Sequence, residues 1–295
     1  MAHRNAGIEL ISTPTGARAD AGSRIVVVYP GLAPAAAHEE LIAAMPSTVS
    51  TYVVDLDAVE EYARPAFTGE PPKVGAADVA AHVATELRQR GLVGGDWLLV
   101  GWSLGGIIAY ALTSELAGDE LPAHLVVLDT PAPVGRNSWS DDGVPLDLEL
   151  LWFVTYLAAR HETTASTARE TFTGLDADAG LKLVLDIETD RGPLLPGASL
   201  AGARKLFEGY LNVVRRNNRI VSAYQAAPPR VPFTLIRPEH SLFGAEPAMG
   251  WDEIDPAVEV RTCRGDHYSM LRDPFALAQV DAIARDCLRL TESEV

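Results

Sequence analysis

The sequence predicts an α/β fold, a mostly parallel sheet flanked by helices, with a helical lid inserted late in the chain. Three observations predict it. Short, wholly apolar runs alternate with helix-periodic segments over residues 25–129, as in a parallel sheet covered on both faces. A glycine-rich turn, Gly101-Trp102-Ser103-Leu104-Gly105-Gly106, directly follows one of those runs. Roughly a hundred residues of helical character then separate this half from the returning strands, far more than an ordinary connection needs. At 295 residues the chain is long enough to bury a large core.

The elements follow in order. Ile25-Val26-Val27-Val28-Tyr29 is a β-branched run that stops at Pro30-Gly31, and Tyr52-Val53-Val54 is another that ends at Asp55. Residues 76–90 carry Val79, Val83 and Leu87 at helical spacing and end before Gly91. Leu98-Leu99-Val100 leads into the glycine-rich turn, and 104–116 reads as a helix. Leu125-Val126-Val127-Leu128 is the next strand, closing at Asp129. Residues 131–145, rich in Pro, Gly, Ser and Asp, read as a loop, and 146–225 as helical throughout. Within it, 148–157 is almost wholly apolar. Residues 203–216 place Leu206, Phe207, Tyr210, Leu211, Val213 and Val214 on one face, with Arg204, Lys205, Arg215 and Arg216 opposite. Strands return at residues 231–236 and at Val258-Glu259-Val260. Asp273-Pro274 starts a last helix whose core face is Leu277, Val280, Ala284 and Cys287. The expected division is a first core part at 1–130, a helical lid insertion at 131–228 and a second core part at 229–295, the lid lying over the carboxyl edge of the sheet.

Composition narrows the function classes. Forty acidic against 24 basic residues give a net charge of −16, which argues against nucleic acid as a partner. Two cysteines, Cys263 and Cys287, make no disulfide framework and are expected to be reduced core fillers in a cytoplasmic protein. The first ten residues hold no apolar signal region, and no run of ~18 apolar residues marks a membrane span. Both ends read as native, so a free-standing chain is expected.

The turn at 101–106 carries the chemistry. A serine at the apex of a strand–turn–helix elbow needs small neighbours, which Gly101 and Gly105 supply, and its hydroxyl then projects above the carboxyl end of the sheet. Ser103 is therefore the candidate nucleophile. A serine hydroxyl needs an adjacent base oriented by a third group. His267, in Gly265-Asp266-His267-Tyr268-Ser269-Met270, follows the last strand and precedes the final helix, where the base is expected. The other six histidines have no such placement, and His82 is expected to be solvated. His38-Glu39 fails as a zinc helix because Ile42 stands where the second histidine belongs, and no metal site is expected. For the acid, Asp129 and Glu239 both follow strands at the sheet's carboxyl end. Asp129 directly abuts its strand, whereas Glu239 lies past Pro238 on a polar loop. An oxyanion hole needs two backbone N–H groups: Leu104, after the nucleophile, and Leu32 in the Pro30-Gly31-Leu32-Ala33 loop, with Gly31 second. Trp152, Phe153 and Tyr156 are expected to line an acyl channel or fill the lid's own core. Arg215, Arg216 and Arg219 are expected to receive an acidic partner or to lie in solvent.

Together Gly101-Trp102-Ser103-Leu104-Gly105-Gly106, Leu128-Asp129-Thr130 and Gly265-Asp266-His267-Tyr268-Ser269-Met270-Leu271 resemble the thioesterases of polyketide synthases and nonribosomal peptide synthetases, over residues 23–290. The resemblance implies an α/β-hydrolase fold, Asp129 as the acid, and a lid that shapes an acyl channel. It implies no bound cofactor. The substrate would be an acyl chain on the phosphopantetheine arm of an acyl or peptidyl carrier protein, released through acyl-Ser103 by hydrolysis or macrocyclisation. Trp102 and Leu104 stand where the family's proofreading members carry Gly-His-Ser-Met-Gly, so a product-releasing enzyme is expected. No N-terminal helical pair of the kind that dimerises some members is visible, so a monomer is expected. An esterase or lipase acting on free esters, or a serine acyltransferase with a separate acceptor, would use the same residues. A non-enzymatic binding protein would show a broken triad, and here all three positions are filled.

Overall fold

The computed structural model describes residues 7–12, 23–31, 35–134, 143–164, 167–244 and 246–290. The chain opens on β1 (Gly7–Ser12), which pairs antiparallel with β3, a strand that the sequence periodicity does not announce. Then come β2 (Arg24–Tyr29), α1 (Ala35–Ala43), β3 (Ser50–Asp55), α2 (Glu60–Thr68), α3 (Ala76–Gln89), β4 (Trp97–Trp102), α4 (Leu104–Glu115) and β5 (His124–Leu128). After β5 follow α5 (Leu146–Arg160), α6 (Ala177–Leu185), the two-residue strands β6 (Glu188–Thr189) and β7 (Gly192–Pro193), and α7 (Leu200–Ser222). The chain returns through β8 (Phe233–His240) and β9 (Glu259–Asp266) and closes on α8 (Pro274–Cys287).

The strands order as β1-β3-β2-β4-β5-β8-β9, and every pair except β1–β3 is parallel. Alternation along β2 explains its unbroken apolar run. Val26 and Val28 pack on the side of Val79, Val83 and Ile108, while Ile25 and Val27 pack with Leu41, Val280 and Ile283. A strand covered by α3 and α4 on one face and α1 and α8 on the other has no solvent side to spend polar residues on. A third cluster, including Phe153, Leu181 and Phe207, belongs to α5, α6 and α7 themselves.

Four local expectations are corrected. Residues 146–225 are not helical throughout: the antiparallel β6–β7 ribbon interrupts them, its turn closed by Gly192 at φ 101°. The helix restarts only where Ser199 accepts the Gly202 N–H at 3.2 Å as an N-cap. Leu206 is not on the buried stripe of α7 but 44% exposed, and Arg216, placed on the solvated face, is buried. His82 is half-buried rather than solvated. The last two strands extend past the apolar signal, so Glu239 lies within β8, not on a loop, and His267 immediately follows β9. The signal is missing there because β9 is the edge of the sheet and mostly half-solvated, so the alternation that marks a buried strand has no cause. The final helix is as expected, with Asp273 accepting the Ala276 N–H at 2.9 Å and Pro274 in its first turn.

His124 at the start of β5 lies 2.9 Å from Thr234 Oγ1 on β8, and that hydroxyl donates to Glu259 Oε2 on β9 at 3.0 Å. Burial holds the His124 pKa below its ordinary value of 6.5. The unfolded chain therefore binds its proton more readily, and the stability contribution present above about pH 6.5 is lost as pH falls. Unfolding free energy from urea titrations is expected to decline between about pH 7.5 and about pH 5.5, and His124→Gln to flatten that slope. A wild-type slope of zero would contradict this.

Candidate active site

Three glycines make the elbow possible. A Cβ on Gly101 would collide with the backbone of Gly105 and Gly106, one on Gly105 with the Val28 carbonyl, and one on Gly106 with the Thr130 hydroxyl. Without them α4 could not start against the ends of β2 and β5. Ser103 sits between β4 and α4 at φ 55°, ψ −130°, a region costly for any side-chain-bearing residue. Its N–H donates to Leu128 O at 3.0 Å, and Thr130 Oγ1 lies 3.0 Å from the Ser103 carbonyl. The strained serine is thus tied to the end of β5 and to the residue two positions beyond it.

Asp129 leaves β5 at φ 41° and is fully buried, its N–H bonded to Ile236 O of β8 at 2.9 Å. Its Oδ2 lies 2.7 Å from His267 Nδ1. The loop that carries His267 builds itself. The Asp266 carboxylate accepts the N–H groups of Tyr268 and Ser269, each at 2.9 Å, and the Ser269 hydroxyl accepts the Asp266 N–H at 2.8 Å. Gly265, at φ 84°, is needed because a Cβ there would fall on the Ser269 hydroxyl. Around the imidazole, Trp102 lies face on at 4.5 Å and 31°, with Phe243 and Tyr268 edge-on at 5.2 and 5.0 Å. The Trp102 indole N–H also donates to the His267 carbonyl at 2.9 Å. The ring is 3% exposed, so its contact with Asp129 is shielded from water, where a charge-assisted hydrogen bond is strongest.

Ser103, Leu104 and His267 line one cavity of about 240 Å³ between the sheet's carboxyl edge and α5 and α7. Gly31 lines it as well, and Leu32 lies outside the described residues. Trp152 lines it, its indole N–H bonded to Leu242 O at 3.2 Å. Phe153 packs among the helices against Phe207, while Tyr156 stacks on Tyr210 and meets Tyr268 of the His267 loop at 6.1 Å. No side chain among the described lining residues carries a fixed charge, and burial pushes the Tyr210 and Tyr268 phenols upward, keeping them neutral. Glu239 is exposed. Cys263 is buried, its thiol pushed up to about 12 by burial, which leaves it inert at neutral pH. Among the described residues no three His, Cys, Asp or Glu side chains converge as a metal would require, and no helix is long and apolar enough to cross a membrane.

Sequence reasoning missed the α7 wall. Tyr210, Val214, Asn217 and Val221 follow helical spacing and all line the cavity, as does Asn218. An asparagine interrupting an apolar stripe was the available signal. It also missed Phe243, which carries no motif and reaches the imidazole only through the β8–β9 connection.

The thioesterase domain model matches residues 24–290. The chain belongs to the thioesterase domain family. Members are hydrolases. Over 85 residues, 28% of the chain, it is 38% identical to a non-reducing polyketide synthase of Aspergillus terreus (terA), of which it covers 4%. A four-domain nonribosomal peptide synthetase superposes with TM-score 0.59 at 19% identity, over 97% of this chain and 20% of that one. The RedJ thioesterase from the prodiginine biosynthetic pathway in Streptomyces coelicolor superposes with TM-score 0.57 at 19% identity, over 95% of each chain. The thioesterase chain thus spans a small part of the two synthases and nearly the whole of RedJ. At these identities the structural likeness carries the fold, which is the α/β-hydrolase fold.

Proposed function

We propose that the chain releases an acyl or peptidyl chain from the phosphopantetheine arm of a carrier protein, with Ser103 as nucleophile, His267 as base and Asp129 as its orienting acid. The observation that carries the reading is the 2.7 Å Asp129–His267 contact on the wall of the cavity that Ser103 also lines. His267 takes the Ser103 proton as Oγ attacks the thioester carbonyl. The oxyanion is met by the N–H of Leu104 and of the loop after β2. In that loop Leu32 is the first choice of donor and Gly31 the second; Gly31 lines the cavity. The tetrahedral species collapses, the C–S bond breaks, and His267 returns its proton to the departing thiolate, leaving acyl-Ser103. Water, or a hydroxyl or amine of the acyl chain itself, then gives its proton to His267 and attacks the ester, and Ser103 leaves with that proton. Hydrolysis yields the acid and cyclisation a lactone or lactam.

The uncharged wall favours a neutral, largely apolar acyl chain, with the Asn217 and Asn218 amides available to one polar group. The helices from α5 to α7 act as its lid.

The test is incubation with a short acyl-N-acetylcysteamine thioester, followed by intact mass and thiol release. The expected result is an acyl adduct in the wild-type protein and none in Ser103→Ala. Cleavage of oxygen esters with no thioester turnover would establish the esterase instead. Transfer only to an added acceptor would establish the acyltransferase.

A further inference from the structure

His267 meets Asp129 through one hydrogen bond, from Nδ1 at 2.7 Å. One contact fixes a point on the ring and not its plane. The last torsion of a histidine side chain is a broad rotor with no sharp minimum, so packing has to set the direction in which Nε2 faces. Three aromatic rings meet the imidazole: Trp102 at 4.5 Å, Tyr268 at 5.0 Å and Phe243 at 5.2 Å. Trp102 precedes Ser103 and Tyr268 follows His267, so both come with the two motifs themselves. Phe243 comes from a third segment and stands at 87° to the imidazole.

That segment, residues 241–244, leaves the end of β8 and is pinned residue by residue. The Ser241 hydroxyl accepts the Phe243 N–H at 3.1 Å. The Leu242 carbonyl accepts the Trp152 indole N–H at 3.2 Å. The Gly244 carbonyl accepts from Arg237 Nη2 at 2.7 Å, and Gly244 turns the chain at φ 98°. Two of these pins are local to β8 and its loop. The third, Trp152, belongs to α5 in the helical insertion and is 4% exposed, and its ring also meets the Phe243 ring at 6.4 Å. An indole N–H at so buried a place is costly unless it is paired, by about 1–3 kcal/mol, so its bond to Leu242 is a directed contact. Trp152, Leu242, Phe243 and His267 all line the same cavity. A chain of contacts therefore runs from α5 through Trp152 and Phe243 to the imidazole, along the wall that an acyl group would touch.

We propose that Phe243 is a positioning residue for His267 and Trp152 its anchor, so that the docking of α5 on the sheet sets the plane of the base. This rests on the reading of His267 as the base that activates Ser103. Neither residue exchanges a proton; each acts through the ring it holds. A base held off its line loses rate in the chemical step, by up to about 100-fold for a displacement of about 1 Å.

The test uses Phe243→Leu, which keeps apolar bulk but removes the ring, and Trp152→Phe, which keeps a ring on α5 but removes the indole N–H. Each is reacted with a small alkyl fluorophosphonate, from whose phosphorus Ser103 Oγ displaces fluoride as His267 takes the hydroxyl proton. Saturation kinetics separate kinact from KI. Proton NMR follows the downfield signal of the proton between His267 Nδ1 and Asp129. The expected result is a fall in kinact of about 10- to 100-fold in Phe243→Leu and about 3- to 10-fold in Trp152→Phe, with KI within about two-fold and Tm within about 4 °C of wild type. The Nδ1 proton signal should broaden in both. In Trp152→Phe the Phe243 ring is still present, so broadening there reports its placement and not its absence. Unchanged kinact in Phe243→Leu overturns the proposal, as does a loss confined to Tm. A fall in Phe243→Leu with Trp152→Phe matching wild type overturns the link to α5. If wild type is not labelled at Ser103, the reading of Ser103 and His267 fails and the proposal with it. The probe contains no thioester, so these outcomes hold whether or not wild type turns over a carrier thioester.

Discussion

Asp129→Asn is expected to lower kcat on an acyl thioester by about 10⁴-fold with little change in Tm, the scale seen when the acid of a serine triad becomes an amide. The carboxylate is fully buried and reaches His267 Nδ1 at 2.7 Å. An asparagine is nearly isosteric, so β5, the φ 41° turn and the Ile236 hydrogen bond survive. What changes is the proton. An amide nitrogen turned toward Nδ1 stabilises the tautomer with its proton on Nε2, which cannot take one from Ser103. An amide oxygen turned toward it keeps the useful tautomer but no longer offsets the positive charge on the imidazole as the transition state forms. Glu239→Gln is the control. That residue is exposed at the end of β8, and its variant should retain kcat within about two-fold. Steady-state kinetics with active-site titration measure both. An inactive Glu239→Gln beside an active Asp129→Asn would reverse the assignment.

The second large effect is on stability. Gly105→Ala is expected to destabilise by about 3 kcal/mol or more, lowering Tm by roughly 6–12 °C. The new Cβ would overlap the Val28 carbonyl oxygen and stand 3.2 Å from Pro30 Cδ. Neither can retreat cheaply, because β2 is bonded to β3 on one side and β4 on the other. The clash also bears on the loop that leads to Gly31, so activity should fall further than stability alone explains. Gly118→Ala meets nothing within 4 Å and should stay within about 0.5 kcal/mol. Thermal scans on the two variants check the contrast, and equal Tm values would contradict it.

The two glycines differ in a way that no composition statistic records. Gly105 is legible because it belongs to the G-x-S-x-G pattern, whose spacing exists to let a helix start against a strand end. The same holds for Gly265, which lies in the motif around His267. The apolar runs of β2, β4 and β5 were equally plain, since strands buried on both faces have no room for polar residues. The half-solvated β9 and the interrupted ribbon at β6–β7 were not, because an exposed edge and a two-residue strand leave almost no periodic trace.

Arg216 shows the limit from the other direction. In a helix written Arg215-Arg216-Asn217-Asn218-Arg219, local reasoning places every cation in water. Only the tertiary fold puts an aromatic ring under one of them and four acceptors at its fork. The sequence by itself determined the elbow, the order of Ser103, Asp129 and His267, the parallel sheet and the existence of a long helical insertion. Each of these is written in local spacing or in the need to bury a continuous apolar run. The tertiary structure alone decided that Asp129 meets His267 across 138 residues of chain, that Phe243 and Trp102 enclose the imidazole, and that Arg216 turns inward to hold the Pro30 carbonyl. Those depend on which surfaces meet when helices dock on a sheet, and a polar side chain's partner, unlike its burial preference, has no signature in the residues beside it.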